Sequence, residues 1–225
     1  MTLAPPGADF GSLFPLAVPP RHPLRPRLES ALGALEPLHD WSALFGAGLP
    51  ALGVRTEPLG KLDGLFDMQR SYLGVRIADQ TNFPCFTAAH EIGHALDWYV
   101  LGGADGYGSL KRAPNPTWAH WWTAVQATPS YARLLKEQHG DFPPISEYVR
   151  YLLEPEELFA RSYAQFVAVA SGRDDFAREL AELLKRKPTP QWPPEEFVSI
   201  QKIIRALLSA YNPRQLESGK SGGER

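Results

Sequence analysis

The chain has one cysteine, Cys85, so it cannot form an intrachain disulfide. A single cysteine suits a reducing compartment and excludes the class of small secreted domains held together by disulfides. An excess of charge of either sign is also missing, because the net charge is -2. The sequence therefore lacks the basic surface that nucleic-acid-binding proteins carry, and we expect no nucleic-acid partner.

Long hydrophobic runs are missing as well. No stretch reaches the roughly 18 apolar residues that a membrane span needs. The N-terminal apolar segment has no basic start and is interrupted by prolines, so it does not resemble a Sec leader. We expect a cytoplasmic protein without a membrane partner; release by a non-Sec route would leave the same pattern.

The 225 residues suit one domain with a substantial core, flanked by two tails. Residues 1–27 hold seven of the 22 prolines and predict an extended arm on the domain surface. Such an arm suggests an inhibitory segment lying over a cleft. Residues 28–212 form the predicted domain, and residues 213–225 have the composition of a disordered tail.

The order of the predicted elements favours an α+β fold that is mainly helical. Apolar spacing predicts a helix over 27–38, and β-branched residues between glycines predict strands over 52–59 and 65–79. The second stretch suits a hairpin that turns near Arg70–Ser71. Later stretches predict helices over 116–126, 129–138, 155–171, 174–186 and 194–211.

A helix with a polar front and an apolar back is predicted from an N-cap candidate at Thr81 or Asn82, with Pro84 near the first turn, to a stop at Gly102–Gly103. At 100° per residue, His90, His94 and Asp97 share one face, and Glu91 lies beside it. Cys85 lies on the opposite, apolar side together with Ile92 and Leu96. The sequence AAHEIGHALDWY therefore combines an HExxH motif with an amphipathic pattern.

This arrangement suits a zinc hydrolase. Two imidazoles one turn apart can ligate one Zn²⁺, and the adjacent Glu91 can act as a base without occupying the metal. Asp97 is placed to accept a hydrogen bond from the second ring nitrogen of a ligand histidine. The competing interpretation is a core helix that carries a buried histidine pair without a metal.

A catalytic zinc usually takes a third protein ligand. A histidine six residues after His94 is excluded, because that residue is Val100. Asp105, in a Gly-rich turn soon after the helix, is one alternative. The other is an acid on a second helix at 155–171, where Glu156 suits the first turn for dipole reasons and Glu157 begins a largely apolar helix.

Taken together, HEIGHALDWY and EELFARSYAQF resemble zincins of the gluzincin type, related to the catalytic domain of anthrax toxin lethal factor and to phage-associated and other bacterial HExxH domains. The resemblance covers roughly Leu52 to Leu208, although only the two motifs are specific. It implies a minimal zincin-like fold: a small N-terminal sheet, the HExxH helix and a helical C-terminal part. It also implies that His90, His94 and Glu157 hold Zn²⁺.

Two positions depart from that family. The acid that usually follows the ligand glutamate by four residues is Arg161 here, which predicts that Arg161 pairs with Glu157 or Asp97. The family also has a tyrosine about seven residues before the ligand glutamate, whose hydroxyl stabilises the oxyanion. Tyr148 and Tyr151 lie nine and six residues before it. The Ser-x-Tyr context favours Tyr148, with Tyr151 as the alternative.

These residues predict a zinc metalloendopeptidase with Glu91 as general base, Tyr148 as a catalytic hydroxyl and a protein or peptide as substrate. The strand near Tyr72–Asp79 is either a plain sheet edge or a strand that pairs with an extended substrate. Two alternatives stay open. One is a weak or inactive zincin-like module used for binding or regulation, and the other is an assembly accessory of the phage type.

Overall fold

The computed structural model describes residues 10–46, 48–67, 74–102, 106–110, 116–140 and 142–209. The fold is α+β and mainly helical, as predicted, with ten α-helices and one three-stranded sheet in this part of the chain. None of the described helices is both long and apolar enough to cross a bilayer.

The N-terminal segment contributes to the core. Short helix α1 spans Phe10–Leu13, and α2 spans Arg25–Leu35, followed by a 3₁₀ turn at Glu36–Leu38 and by α3 at Trp41–Gly46. Leu13, Phe14, Val18 and Leu24 are buried. The described part of the predicted arm therefore differs from the expectation: its prolines separate apolar residues that pack inward.

The sheet contains β1 (Gly53–Glu57), β2 (Gly64–Asp67) and β3 (Gly74–Ala78) in the order β1-β3-β2. β3 pairs parallel to β1 and antiparallel to β2. Residue Leu16 forms a parallel bridge with Val54, so the N-terminal segment lies along the outer edge of β1. The hairpin turn predicted near Arg70–Ser71 falls outside the described residues.

The HExxH motif lies on α4, which spans Pro84–Ala95 and continues as a π-helical turn over Leu96–Leu101. Cys85 and Ile92 are fully buried, which confirms the predicted apolar back. The carboxylate of Glu179 accepts hydrogen bonds from the free backbone N–H groups of Cys85 (3.2 Å) and Phe86 (2.7 Å). A distant acid thus caps the first turn of this helix, a role for which the sequence has no signal.

The C-terminal part is helical. Its helices are α5 (Pro116–Gln126), α6 (Pro129–Glu137), α7 (Pro143–Leu152), α8 (Pro155–Ser171), α9 (Asp174–Leu183) and α10 (Pro194–Ser209). Helices α5, α6, α8, α9 and α10 lie where the sequence predicted them, whereas α7 was not predicted. Trp118 and Trp121 pack on Phe159 of α8, so this aromatic cluster belongs to the core.

The pairing of α4 with α8 is the main contact between helices, and Gly93 permits it. A Cβ atom at Gly93 would lie 3.1 Å from the Cα of Ala160 and 3.1 Å from a ring carbon of Tyr163. The backbones of α4 and α8 therefore come so close at position 93 that the Cβ atom of a larger residue would press on its neighbours. This close packing brings the start of α8 beside the histidine face of α4.

Candidate metal centre

Two histidines of α4 project to the same side, as their spacing predicts. The rings of His90 and His94 have centroids 4.8 Å apart and are nearly perpendicular. His94 is buried, whereas His90 keeps partial contact with the cleft. Because the helix is rigid and packed along its back, the two Nε2 atoms are held in place without a ligand.

Glu157 enters from the first turn of α8. Its Oε1 lies 3.2 Å from Nε2 of His94, and its Oε2 lies 3.3 Å from Nε2 of His90. The three residues each offer one ligand atom, and these atoms lie within 4.8 Å of one another. The structure therefore brings together His90, His94 and Glu157, although Glu157 lies 63 residues beyond His94 in the sequence.

This donor set fits a metal ion such as Zn²⁺. Ligand atoms about 2.0–2.1 Å from a tetrahedral zinc lie roughly 3.4 Å apart, close to the distances found here. The carboxylate of Glu157 is buried, and its two oxygens each face one imidazole nitrogen. Two imidazoles and one carboxylate are a donor set that zinc prefers, and a cation between the three side chains would offset the cost of burying the carboxylate.

The same three side chains are electrostatically coupled. Burial opposes ionisation of Glu157, but the two histidines outweigh it and hold the pKa of the carboxyl well below its usual range. Burial also opposes protonation of His94, and the facing Glu157 outweighs it and raises the pKa of the ring. Protons and a metal therefore compete for the same atoms, so metal binding releases protons.

Glu91 lies beside the ligand set and lines the cleft. Burial raises the pKa of its carboxyl, the two histidines and a hydrogen bond from the backbone N–H of Phe66 lower it, and the charge of Glu157 raises it. A raised pKa suits a group that takes up and returns a proton near neutral pH.

Strand β2 is the outer strand beside the cleft. A Cβ atom added to Gly64 would lie 2.7 Å from Oε1 of Glu91 and 2.5 Å from Cγ2 of Thr87. Any side chain at position 64 would therefore displace Glu91 or Thr87, and no sequence pattern marks this glycine. The prediction that the strand near Tyr72–Asp79 pairs with substrate is wrong, because β3 is the central strand and has partners on both sides.

Asp97 does not orient a ligand histidine through a hydrogen bond. Its two carboxylate oxygens accept from the backbone N–H (2.9 Å) and the hydroxyl (2.5 Å) of Ser109, and Nδ1 of His94 has no hydrogen-bond partner. The π-helical turn begins here, and Asp97 fixes the segment after it. That segment carries Tyr107, whose ring contacts His94 edge-on at 5.7 Å. Burial raises the pKa of Asp97 to about 7.

Arg161 does not take the role of the missing acid, and it forms no ion pair with Asp97 or Glu157. It is buried, and its guanidinium donates to the backbone carbonyls of Glu157 (3.3 Å), Leu152 and Pro190. Burial lowers its pKa to about 10, so it remains charged at neutral pH. Arg161 therefore ties the start of α8 to the end of α7 and to the segment before α10.

Tyr148 and Tyr151 both line the cleft, a cavity of about 340 Å³ that also contains His90, Glu91 and Glu157. Their rings stack at 6.3 Å. Burial and interaction with Glu157 raise the pKa of the Tyr151 hydroxyl. Burial also raises the pKa of Tyr148, which Arg161 and Arg186 oppose. Tyr151 thus interacts with Glu157, whereas the hydroxyl of Tyr148 is influenced mainly by the charges of the two arginines.

The other candidates lie away from this site. Val100 is buried in the core, and Asp105 falls outside the described residues. Residues 10–27 contribute nothing to the lining of the cleft, because they pack along β1 at the other side of the sheet. The proposed inhibitory role of the arm therefore has no support from its described part.

A comparison with curated proteins relates part of this chain to a metalloprotease. Seventy-eight residues are 38% identical to the radiation response metalloprotease IrrE of Deinococcus radiodurans. The aligned stretch covers 35% of this chain and 23% of that protein. No family model matches the chain, and no solved structure matches it. These findings support a metallopeptidase relationship and imply a metal cofactor. They do not identify a subtype of zincin.

Proposed function

We propose that this chain is a zinc-dependent metallopeptidase of the gluzincin type that hydrolyses peptide bonds in a protein substrate. The observation that carries the proposal is the cluster of His90, His94 and Glu157 at the wall of a cleft, with Glu91 beside it. The similarity to a metalloprotease over part of the chain supports the same class.

His90, His94 and Glu157 would hold the ion. A bound zinc would act as a Lewis acid that polarises the scissile carbonyl and makes water a better nucleophile. Glu91 would take the proton of the attacking water and return it to the leaving amine. Its buried setting supports this role, since the carboxylate is held by Phe66 and by neighbouring charge rather than by an ion pair.

Tyr148 is the proposed donor to the oxyanion. Its side chain lines the cleft, and the positive charges of Arg161 and Arg186 act on its hydroxyl and would favour a negative charge nearby. Tyr151 is the alternative, and its interaction with Glu157 favours a supporting role. The substrate backbone is proposed to lie between β2 and α7, which form the two sides of the cleft.

The test compares wild type with Glu91→Gln, which keeps the shape of the side chain and removes the base. We expect both proteins to bind one equivalent of zinc by metal analysis. We expect peptidase activity on a protein substrate to fall by about 10²-fold or more in the variant. A variant that keeps zinc and full activity would remove Glu91 as the base, and a wild type that binds no zinc would overturn the metallopeptidase itself.

A further inference from the structure

Arg161 places a buried positive charge at the wall of the cleft. Its side chain is 4% exposed, and its three hydrogen bonds all go to neutral backbone carbonyls. The ring of Trp192 covers it at 5.2 Å. Among the described residues no carboxylate forms an ion pair with it, and burying a charge in this way is unfavourable unless an anion joins it.

The charge that offsets Arg161 belongs to the metal centre. Glu157 is the carboxylate whose charge acts on Arg161. Once Glu157 ligates a divalent cation, its negative charge is shared with that ion, and Arg161 loses most of this stabilisation. With a metal bound, the guanidinium of Arg161 would therefore remain a positive charge on α8. Its Cα lies about 6 Å along the helix axis from that of Glu157, roughly one turn.

The rest of that side of the cleft adds further positive charge. Lys61 and Arg186 line the same cavity, and both are exposed. Apart from Glu91 and Glu157 at the metal centre, Asp63 is the one acid among the residues that line it, and it accepts a hydrogen bond from Thr81 at 2.7 Å. Three cations thus face one acid.

Gln191 supplies a polar group that the fold does not use. It lines the cavity, is 3% exposed, and its Oε1 has no hydrogen-bond partner. Its backbone neighbours are fixed, because Arg161 donates to the carbonyl of Pro190, and Gln165 bonds both the N–H and the carbonyl of Trp192. An unpaired acceptor and a guanidinium without a carboxylate partner thus line the same cavity, and together they suit a peptide with a carboxylate and a free N–H.

We propose that Arg161, with Arg186, Lys61 and Gln191 around it, forms a subsite that binds an aspartate or glutamate side chain of the substrate. Arg161 would receive the carboxylate, the two exposed cations would attract it, and Gln191 would accept an N–H of the same peptide. This inference rests on the proposed function, because it names the substrate class of that cleft.

The experiment uses a synthetic library of N-acetylated dodecapeptide amides whose central positions are randomised, so that no terminal charge interferes. One arm sequences the products cut by the zinc-loaded wild type. The other sequences the peptides retained by immobilised zinc-loaded Glu91→Gln protein. We expect Asp and Glu to be favoured about tenfold over Asn and Gln at one position in both arms.

Arg161→Gln should abolish that preference, and Arg178→Gln, which removes an exposed arginine elsewhere, should leave it unchanged. Because Arg161 is buried and joins three backbone carbonyls, a second test uses exposed residues: the double variant Lys61→Gln/Arg186→Gln should reduce the preference severalfold. An unchanged preference in the double variant and in a folded Arg161→Gln protein would overturn the subsite.

The two arms separate this inference from the proposed function. Cleavage without any acidic preference would overturn the subsite and keep the peptidase. Retention of acidic peptides without cleavage by the wild type would support the subsite and overturn the peptidase. Neither cleavage nor acidic retention would overturn both.

Discussion

Helices α7 and α8 form neighbouring parts of the cleft wall, yet they are held in different ways. In α8, the residues from Glu157 to Ala168 are all buried. In α7, Val149 and Leu152 are the buried residues, and they pack in a small cluster with Leu134 that is separate from the main core. Tyr148 and Tyr151 on α7 remain about 40% exposed, at 39% and 43%.

This difference separates two tasks. Glu157, as the proposed metal ligand, must be fixed within a fraction of an ångström, and the packing of α8 against α4 would provide that. A wall that contacts varied peptides gains from side chains that can adjust, and α7 offers stacked aromatic rings on a lightly tethered helix. Changes on α8 should therefore affect the metal and the fold, whereas changes on the exposed face of α7 should affect turnover.

The largest effect is expected from Glu157→Gln. The amide keeps the volume but removes the charge that the metal needs, so zinc affinity should fall by more than about 100-fold. Metal analysis after dialysis against a weak chelator would measure this. Glu156→Gln is the matched control one residue earlier and should keep its zinc. Equal zinc content in the two variants would contradict Glu157 as a ligand.

A smaller effect is expected on α7. Tyr148→Phe should lower kcat by about 10²-fold with zinc content and stability unchanged, because it removes one hydroxyl donor from the proposed oxyanion site. Steady-state kinetics would show this, with Tyr151→Phe measured alongside. If Tyr151→Phe loses the activity and Tyr148→Phe does not, the two tyrosines exchange roles.

The contact between α4 and α8 is tested by Gly93→Ala. The added methyl would press on Ala160 and Tyr163, so the free energy of unfolding should fall by about 1–3 kcal/mol. Urea denaturation would measure it. Gly33→Ala on α2 is the control, since its Cβ would meet nothing within 4 Å, and a helical alanine there should be neutral or stabilising. Equal destabilisation by both changes would refute the close approach as the cause.

An effect that depends on pH is expected at the rear of α8, where His39 stacks on Tyr163 and Phe166. Burial lowers the pKa of His39 to about 4, from 6.5 for an ordinary histidine. Between pH 6.5 and about 4, His39 is therefore protonated mainly in the unfolded chain and remains mainly neutral in the folded chain. Stability should fall with acidification across this window, by at most about 1.4 kcal/mol per pH unit.

Urea denaturation at several pH values would detect this slope, and the difference between wild type and His39→Gln isolates it from other groups. The variant should show a flatter dependence between pH 6.5 and 4. His139→Gln, a change at an exposed histidine, should retain the wild-type slope. A wild-type slope in His39→Gln would show that this histidine is not the group responsible.

Sequence patterns predicted the parts of the site that depend on one element. The 3.6-residue period predicts that His90 and His94 share one face of a helix, with Glu91 beside it, and Pro155 predicts the start of a second helix. The structure confirms both, because these three residues lie on α4 and α8 begins at Pro155. The pairing of Glu157 with the histidines came from the family resemblance, because periodicity within one helix says nothing about which other helix lies across it.

Contacts that depend on tertiary packing escaped prediction. Asp97 was expected to bind a histidine, but Ser109, twelve residues later, takes both of its oxygens. Arg161 was expected to pair with an acid, and it binds three carbonyls instead. The prolines of residues 1–27 predict an exposed arm, although Val18 and Leu24, which lie between described prolines, are buried. In each case the interacting group is distant in the sequence or is a backbone carbonyl, which leaves no pattern in the sequence.

The two outer strands of the sheet also bear on self-association. Exposed strand edges recruit strands of other molecules and promote aggregation. Here Leu16 lies along β1, and on β2 the backbone N–H of Phe66 is bound by Glu91 while Gly64 is pressed against Thr87. The proposed catalytic base therefore also shields a strand edge. A Glu91→Ala protein, which loses that shield, should aggregate faster at high concentration than Glu91→Gln.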